Sequence, residues 1–399
     1  MTVDAIPPCD TAPVRPKLPF GALLAFATVV FIGCVTETLP AGVLLGISAD
    51  LRVSEAQAGQ LVTVYAISTA VTAVPLTALS RRLPRRALLL CLILGFAVVN
   101  AITAFSSVYA LTLVARILAG AVSGVLWAMI PGYAMRLVPA AHAGKALAIA
   151  MIGTPIGFAI GVPAGTILGD LIGWRYAFAM LVAITVLLAG WVRWQAPPLP
   201  GEPAGQRAAP WKVLAIKGFP AVLATTFVFV LGHNILYTYL GPVLAETGEA
   251  RLLGTVLLVF GVTSVLGIWV VGAVIDKWPR PLVLASTALF AVAGAAIGAA
   301  ADRPVLLYGA VALWGLAFGG APTMFPAAAA RVAGRTADVA QSLAITVWNL
   351  AIAGGALVGG SVLDQAGTAT PLPWIAVALT ALACVVAAAA RHGFPAVRR

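Results

Sequence analysis

Between residues 20 and 390 the chain alternates apolar stretches of roughly 20 residues with short polar breaks. A helix needs about 20 apolar residues to cross the hydrocarbon core of a bilayer. Only helices and closed barrels satisfy every backbone hydrogen bond in lipid. Twelve such stretches stand out, near 20–46, 55–79, 86–105, 108–135, 143–168, 174–194, 216–240, 252–274, 281–300, 304–327, 338–362 and 372–390. Start or breaker signals mark several boundaries: Ser54-Glu55, Asp302-Arg303-Pro304 and Arg335-Thr336-Ala337-Asp338. Pro131, Pro139, Pro155 and Pro163 fall in the fourth and fifth stretches, where they predict kinks.

Composition agrees with that pattern. With 61% hydrophobic and 9% charged residues, and a mean hydropathy of +1.04, the chain has more apolar surface than a soluble fold of 399 residues buries. The first 17 residues, with Asp4, Asp10 and four prolines, read as a disordered tail without a cleavable apolar core. Cys34, Cys91 and Cys384 lie in predicted helices as small apolar thiols, so neither a disulfide framework nor a metal site is expected. HExxH, GxSxG and Walker A patterns are absent, which argues against an enzyme, a nucleotide-driven pump and a bound cofactor.

The net charge of +11 changes the picture only through its distribution. Assigned to alternate sides of the predicted spans, nineteen Lys and Arg fall on the side of the termini. Four fall on the other side, Arg52, Arg175, Arg251 and Arg303, while Arg116 lies within a span. Cytoplasmic loops are the basic ones, so both termini are expected in the cytoplasm. A basic face for nucleic acid explains this pattern poorly.

Two of the basic loops resemble each other. GAVIDKWPRP at 272–281 aligns with TALSRRLPRR at 77–86, pairing Gly272 with Thr77, Asp276 with Arg81, Lys277 with Arg82, Pro279 with Pro84 and Arg280 with Arg85, at an offset of 195 residues. A repeat of half the chain predicts an all-α integral membrane protein of twelve transmembrane helices in two pseudo-symmetric six-helix bundles. The expected parts are a disordered cytoplasmic tail (1–17), an N-terminal bundle (18–194), a Pro- and Gly-rich cytoplasmic linker (195–215), a C-terminal bundle (216–390) and a second tail (391–399).

The second loop, with Gly272, Asp276, Lys277 and Arg280, resembles the signature loop of the major facilitator superfamily, although Pro279 replaces its usual Gly. The first copy keeps only Arg82, Arg85 and Arg86 of that pattern. ARILAGAVSG at 115–124 is similar to the family's fourth-helix motif, and GFAIGVPAGTILGDLIGWRYAF at 157–178 to the fifth-helix motif of its twelve-helix drug:proton antiporters. TETLPAGVL at 36–44 and GHNILYTYLGPVL at 232–244 resemble bacterial exporters of arabinose, other sugars and purine nucleosides. The resemblance implies a monomeric carrier in the bacterial inner membrane, exporting a small molecule against an inward flow of protons. An uptake symporter or facilitator of the same fold is the alternative, and a non-transporting receptor or scaffold a third reading.

Candidate site residues follow from the cost of burying charge in lipid. Glu37, well inside the first span, is either a carboxyl that exchanges protons, a carboxylate reaching for the interface, or a direct substrate ligand. An offset of 195–200 carries Glu37 to the polar cluster of His233, Asn234 and Tyr237. His233 joins Glu37 and Arg116 as a proton-coupling candidate. Arg116 needs a partner, either a carboxylate such as Glu37 or carbonyls at a helix break. The expected substrate lining is Tyr65, Asn234, Tyr237, Gln341, Trp348 and Asn349, a neutral-polar and aromatic set suited to an uncharged or weakly basic amphipathic molecule. Asp276, Lys277, Arg280, Arg82 and Arg85 are the gating candidates. Glycines every fourth residue, among them Gly157, Gly161 and Gly165 with Pro163, predict a close helix interface, expected between the two bundles.

Overall fold

The computed structural model describes residues 18–80, 82–139, 142–201, 210–275 and 277–394, and these are overwhelmingly helical. The first group comprises α1 (Phe20–Gly42), α2 (Leu44–Leu51), α3 (Glu55–Ser80), α4 (Arg85–Phe105), α5 (Tyr109–Arg136), α6 (Ala143–Met151), α7 (Gly153–Ile156), a π turn (Gly157–Gly161), α8 (Val162–Ile172) and α9 (Trp174–Gln195). After α10 (Pro210–Leu214) come α11 (Phe219–Thr238), α12 (Leu240–Glu246), α13 (Leu253–Val274), α14 (Pro279–Ala300), α15 (Pro304–Gly319), α16 (Ala321–Ala333), α17 (Ala337–Ala366) and α18 (Pro371–Ala389). Among the described residues, 11 helical stretches are long and apolar enough to cross a membrane. The 26-residue α3 has the length for one more, which accords with twelve spans.

The sequence explains where spans stay whole and where they break. The fifth span is divided into α6, α7, the π turn and α8, with Pro155 and Pro163 on either side of the turn. A proline gives no amide to the carbonyl four residues back, and the wider i→i+5 turn takes up the slack. The first and seventh spans break at Val43 (φ −119°, ψ 22°) and Tyr239 (φ −109°, ψ 20°). These positions lie 196 residues apart, and their matching dihedral angles show the repeat at the level of the backbone. Gly173, at φ 104°, makes the corner between α8 and α9 that a side chain would strain.

Each group of helices packs mainly on itself, α3 and α4 on α5, α4 on α9, α13 on α15, α14 on α18 and α11 on α17 and α18. The two groups meet in two seams, α3 against α17 and α13 against the π turn and α8. Exchanging the repeats turns one seam into the other, as a pseudo-twofold axis requires. Only 33% of the central stretch of α9, α14 and α18 is buried, against 72% for α1, so those three face lipid. Exposed Trp194, Trp211 and Trp278 at the basic end, and Trp374 at the opposite end, suit the two membrane interfaces.

The contacts that join the groups concentrate away from the basic loops. A Cβ at Gly241 would lie 3.5 Å from Leu45, and one at Gly42 would lie 3.5 Å from Leu257. Gly59 lies under the Tyr239 ring, and Ala56 under Gly360. Thr63 reaches across to the Ala353 carbonyl at 3.4 Å.

Candidate functional site

In the first group, Pro40 organises a buried polar cluster. Because Pro40 has no N–H, the Thr36 carbonyl four residues earlier lacks its helical donor. Arg116 Nη2 donates to that carbonyl at 2.7 Å and lies 3.5 Å from the Glu37 carbonyl. Arg116 is fully buried, with its guanidinium 4.6 Å from the centre of the Tyr65 ring, a cation–π distance. Asn100 Nδ2 holds the Thr36 hydroxyl at 2.9 Å. Among the described residues, Arg116 Nε and Nη1 have no hydrogen-bond partner, while the Ser123 hydroxyl lies beside Tyr65. The Glu37 side chain sits beside Arg116 and Trp127. Of the two partners expected for Arg116, the carbonyls at a proline break are the ones it bonds, and Glu37 is its electrostatic neighbour. Tyr65, expected in the substrate lining, is instead completely covered, because Gly120 lets α5 approach the Tyr65 backbone and Arg116 covers the ring.

The matching position in the second group is aromatic. His233 lies 196 residues after Glu37, and its ring stacks on Phe318 with centroids 3.4 Å apart. Trp314 Nε1 donates to His233 Nδ1 at 3.2 Å. Tyr237 and Phe260 pack against His233 at 5.3 and 5.7 Å. With Nδ1 accepting from the indole, Nε2 is the ring nitrogen left to donate. Tyr237 also meets Phe158 of the π turn at 6.2 Å, so an aromatic pair crosses between the two groups. Asn234 and Asn349 are buried, and half-buried Trp348 lies with its ring centroid 6.0 Å from that of Phe318. Gln341, on the same helix as Trp348 and Asn349, donates to the Pro326 carbonyl at 2.9 Å.

The glycines of the fifth span face a different neighbour from the one expected. A Cβ at Gly153 would strike the Ala27 carbonyl, and at Gly157, Gly161 and Gly165 it would meet Cys34, Val35 and Leu39. The stripe therefore packs on α1 within its own group. The contact between groups comes from glycines of α13: Gly261 lies against Phe158 and Ala159, and Gly254 against Ile167. Pro163 is buried just after the π turn.

Asp276 and Arg81 lie outside the described residues. Arg82 and Lys277 are exposed. Arg280 donates to the Ala388 carbonyl at 2.6 Å, near the end of α18, and the matched loop sends Arg86 to the Ala196 carbonyl at the end of α9 at 3.4 Å. Buried Arg85 uses its backbone N–H on the Leu199 carbonyl at 2.9 Å. Tyr133 donates to Pro197 and Arg136 to Pro200, completing a clamp on the start of the linker. The bonds just named join loop to helix end inside one group, where cations also suit the carbonyl-rich end of a helix.

Several contributors were missed from sequence: Trp127, Ser123, Phe158, Trp314 and Phe318. Aromatic residues within apolar spans give no polar signal, although Trp314 is the single tryptophan of the tenth stretch.

Known proteins place this architecture. The purine ribonucleoside efflux pump NepI of Shigella dysenteriae is 28% identical over 351 residues, covering 87% of this chain and 89% of the pump. A chloramphenicol efflux pump of Mycobacterium tuberculosis is 31% identical over 370 residues, covering 89% and 88%. Among solved structures, a bacterial homologue of the human lysosomal transporter Spinster, in an inward-facing and unoccupied conformation, superposes with a TM-score of 0.72 at 15% identity over 95% of this chain and 98% of that one. The human organic anion transporter MFSD10 gives 0.66 at 18% identity, over 91% and 99%. The model of the Major Facilitator Superfamily matches residues 24–356 and 222–396, and the chain belongs to that family of membrane transporters.

Proposed function

We propose that the protein exports a small neutral or weakly basic amphipathic molecule across the bacterial inner membrane in exchange for protons, with Glu37 as the proton carrier. The observation that carries this reading is the setting of Glu37, beside a buried guanidinium bonded to α1 through one nitrogen, with two more left free. A charged Glu37 gains Arg116 as a counter-ion, and a protonated Glu37 leaves that positive charge uncompensated. The two states therefore differ in buried charge, which gives protonation leverage over the packing of α1 on α5. His233 suits this task less well, because its Nδ1 is already occupied by Trp314.

Direction and topology follow from separate supports. Both pumps named above are exporters. With the basic loops in the cytoplasm, the contacts at Leu45–Gly241 and Gly59–Tyr239 lie on the outer side and close that side. The six-helix groups at 18–194 and 216–390 would then rock about the α3–α17 and α13–α8 seams. The bases at the ends of α9 and α18 hold each group together during that motion. The carrier works as a monomer in this reading.

Everted membrane vesicles acidified inside test it. Addition of a transported drug, nucleoside or sugar should release protons, reported by a pH-sensitive dye, and Glu37→Gln should abolish the release. Labelled substrate that crosses without moving protons would replace antiport with facilitated or other ion-coupled transport.

A further inference from the structure

Where α8 of the first group meets α13 of the second, the seam has a regular register. The helices run antiparallel, with Gly261 against Phe158 and Ala159, and Gly254 against Ile167. One turn further from the basic loops, the same register sets Asp170 of α8 opposite Arg251, in the short turn that precedes α13. Both line a cavity of about 280 Å³, together with Leu253 and with Val43, Leu45 and Gly46 around the break in the first span. The walls belong to both groups, so any movement that opens this side pulls the cavity apart.

The two charges are poised rather than joined. Among the described residues Asp170 has no ion-pair partner. The Arg251 side chain is 83% exposed, and its Nε lies 4.0 Å from a Glu249 oxygen of its own group, at the outer limit of an ion pair. A long guanidinium held so loosely is free to turn toward an unpaired carboxylate across the cavity. The repeat supplies a contrast. Arg251 lies 196 residues after Glu55, the offset that also relates Val43 to Tyr239. Glu55 begins α3 at the mouth of the other seam, where Ala56 touches Gly360 of α17, and its charged neighbour from the second group is Glu246. One seam therefore ends in like charges and the other in opposite ones.

We infer that Asp170 and Arg251 pair across the α8–α13 seam as a latch on the outer side, and that the latch is one-sided, because the matched position on the α3–α17 seam sets an acid near an acid. Opening toward the outside breaks the pair, and closing re-forms it. The latch requires neither a particular cargo nor proton exchange. It rests only on the outward placement of these helix ends proposed above.

The test is the rate at which a membrane-impermeant maleimide labels Leu45→Cys in right-side-out vesicles containing the full chain, with the parent chain as the blank. Leu45 touches Gly241 of the other group when this side is shut, so labelling reports openings. Adding Arg251→Glu, which gives both seams like charges, should speed labelling at least threefold, and so should adding Asp170→Arg. The exchanged pair, Asp170→Arg with Arg251→Asp, should return the rate to within twofold of Leu45→Cys alone. Glu249→Gln should leave the rate unchanged or slow it, since it releases Arg251 to Asp170. If the reversed variants fail to accumulate, Asp170→Asn and Arg251→Gln replace them, with an expected rise of about twofold. Single variants that label at the unmodified rate, an exchanged pair no slower than the singles, or acceleration by Glu249→Gln equal to that by Arg251→Glu each overturn the inference. Labelling confined to everted vesicles would overturn the outward placement instead, and the same ratios measured there would decide the latch.

Discussion

At the scale of single residues, Pro40 and Arg116 form one unit. Pro40→Ala would return an N–H to the Thr36 carbonyl and compete with the bond from Arg116 at 2.7 Å. A proline inside a helix costs about 3 kcal/mol, so the variant should melt at a higher temperature in detergent while its proton-coupled transport falls at least tenfold. Unchanged transport would separate Arg116 from the coupling step. Arg116→Lys should also fail, because an ammonium lacks the planar fork that bonds a carbonyl while lying over Tyr65. Glu37 and Arg116 were legible in the sequence as charges in oily spans. Carbonyls at a helix break were one of the two partners open to Arg116, but that the Thr36 carbonyl is the one it bonds was not legible, since a proline in a sequence announces a bend and not which group answers the exposed oxygen.

At the scale of helices, glycine positions separate close packing from open space. A Cβ at Gly120 would lie 2.2 Å from the Tyr65 carbonyl oxygen, whereas Gly190 has nothing within 4 Å. Gly120→Ala should destabilise by about 1–3 kcal/mol, the usual penalty of overpacking. Gly190→Ala should be neutral or stabilising by up to about 1 kcal/mol. Thermal melts of the two purified variants make the comparison. The spacing of Gly157, Gly161 and Gly165 was readable, because small residues every fourth position mark one face of a helix. Their partner was not, since spacing says nothing of whether α1 or α13 lies across from that face. A second helix contact makes stability depend on pH. Glu246 at the end of α12 accepts from the Thr368 and Thr370 hydroxyls at 2.9 and 3.0 Å and from the Ala369 amide. Partial burial pushes its carboxyl up, but these hydrogen bonds outweigh it and hold the group below the ordinary range. The stability it adds is therefore complete above the unfolded value of about 4.3 and is lost as pH falls through the lower folded value. Glu246→Gln should melt lower than the parent at neutral pH, and the two curves should converge below about pH 4.

At the scale of the whole molecule, the twelve apolar stretches and the half-length repeat were visible because lipid imposes length and the basic loops are similar. The seams were not visible, since Thr63 and Ala353 are 290 residues apart and carry no pattern that links them. Closure at Leu45 and Gly241 makes its own prediction. A Cβ at Gly241 would lie 3.5 Å from Leu45 Cγ, so the pair Leu45→Cys and Gly241→Cys should form a disulfide under mild oxidation. Transport should then stop and return on reduction; undiminished transport by fully cross-linked protein would show that the contact does not open during the cycle. The matched breaks at Val43 and Tyr239 have one more consequence. Valine and tyrosine share almost no chemistry, yet each bends its helix through angles within 10° of the other's at the same point of the repeat. The bend is thus a property of position rather than of the residue that occupies it, and the short helices α2 and α12 leave their spans in the same way. Descent from a common ancestor could change the residues beyond each bend without changing the bend, so a chimera exchanging α2 and α12 between the halves should keep the backbone break at 43 and 239 and alter only what the short helices touch.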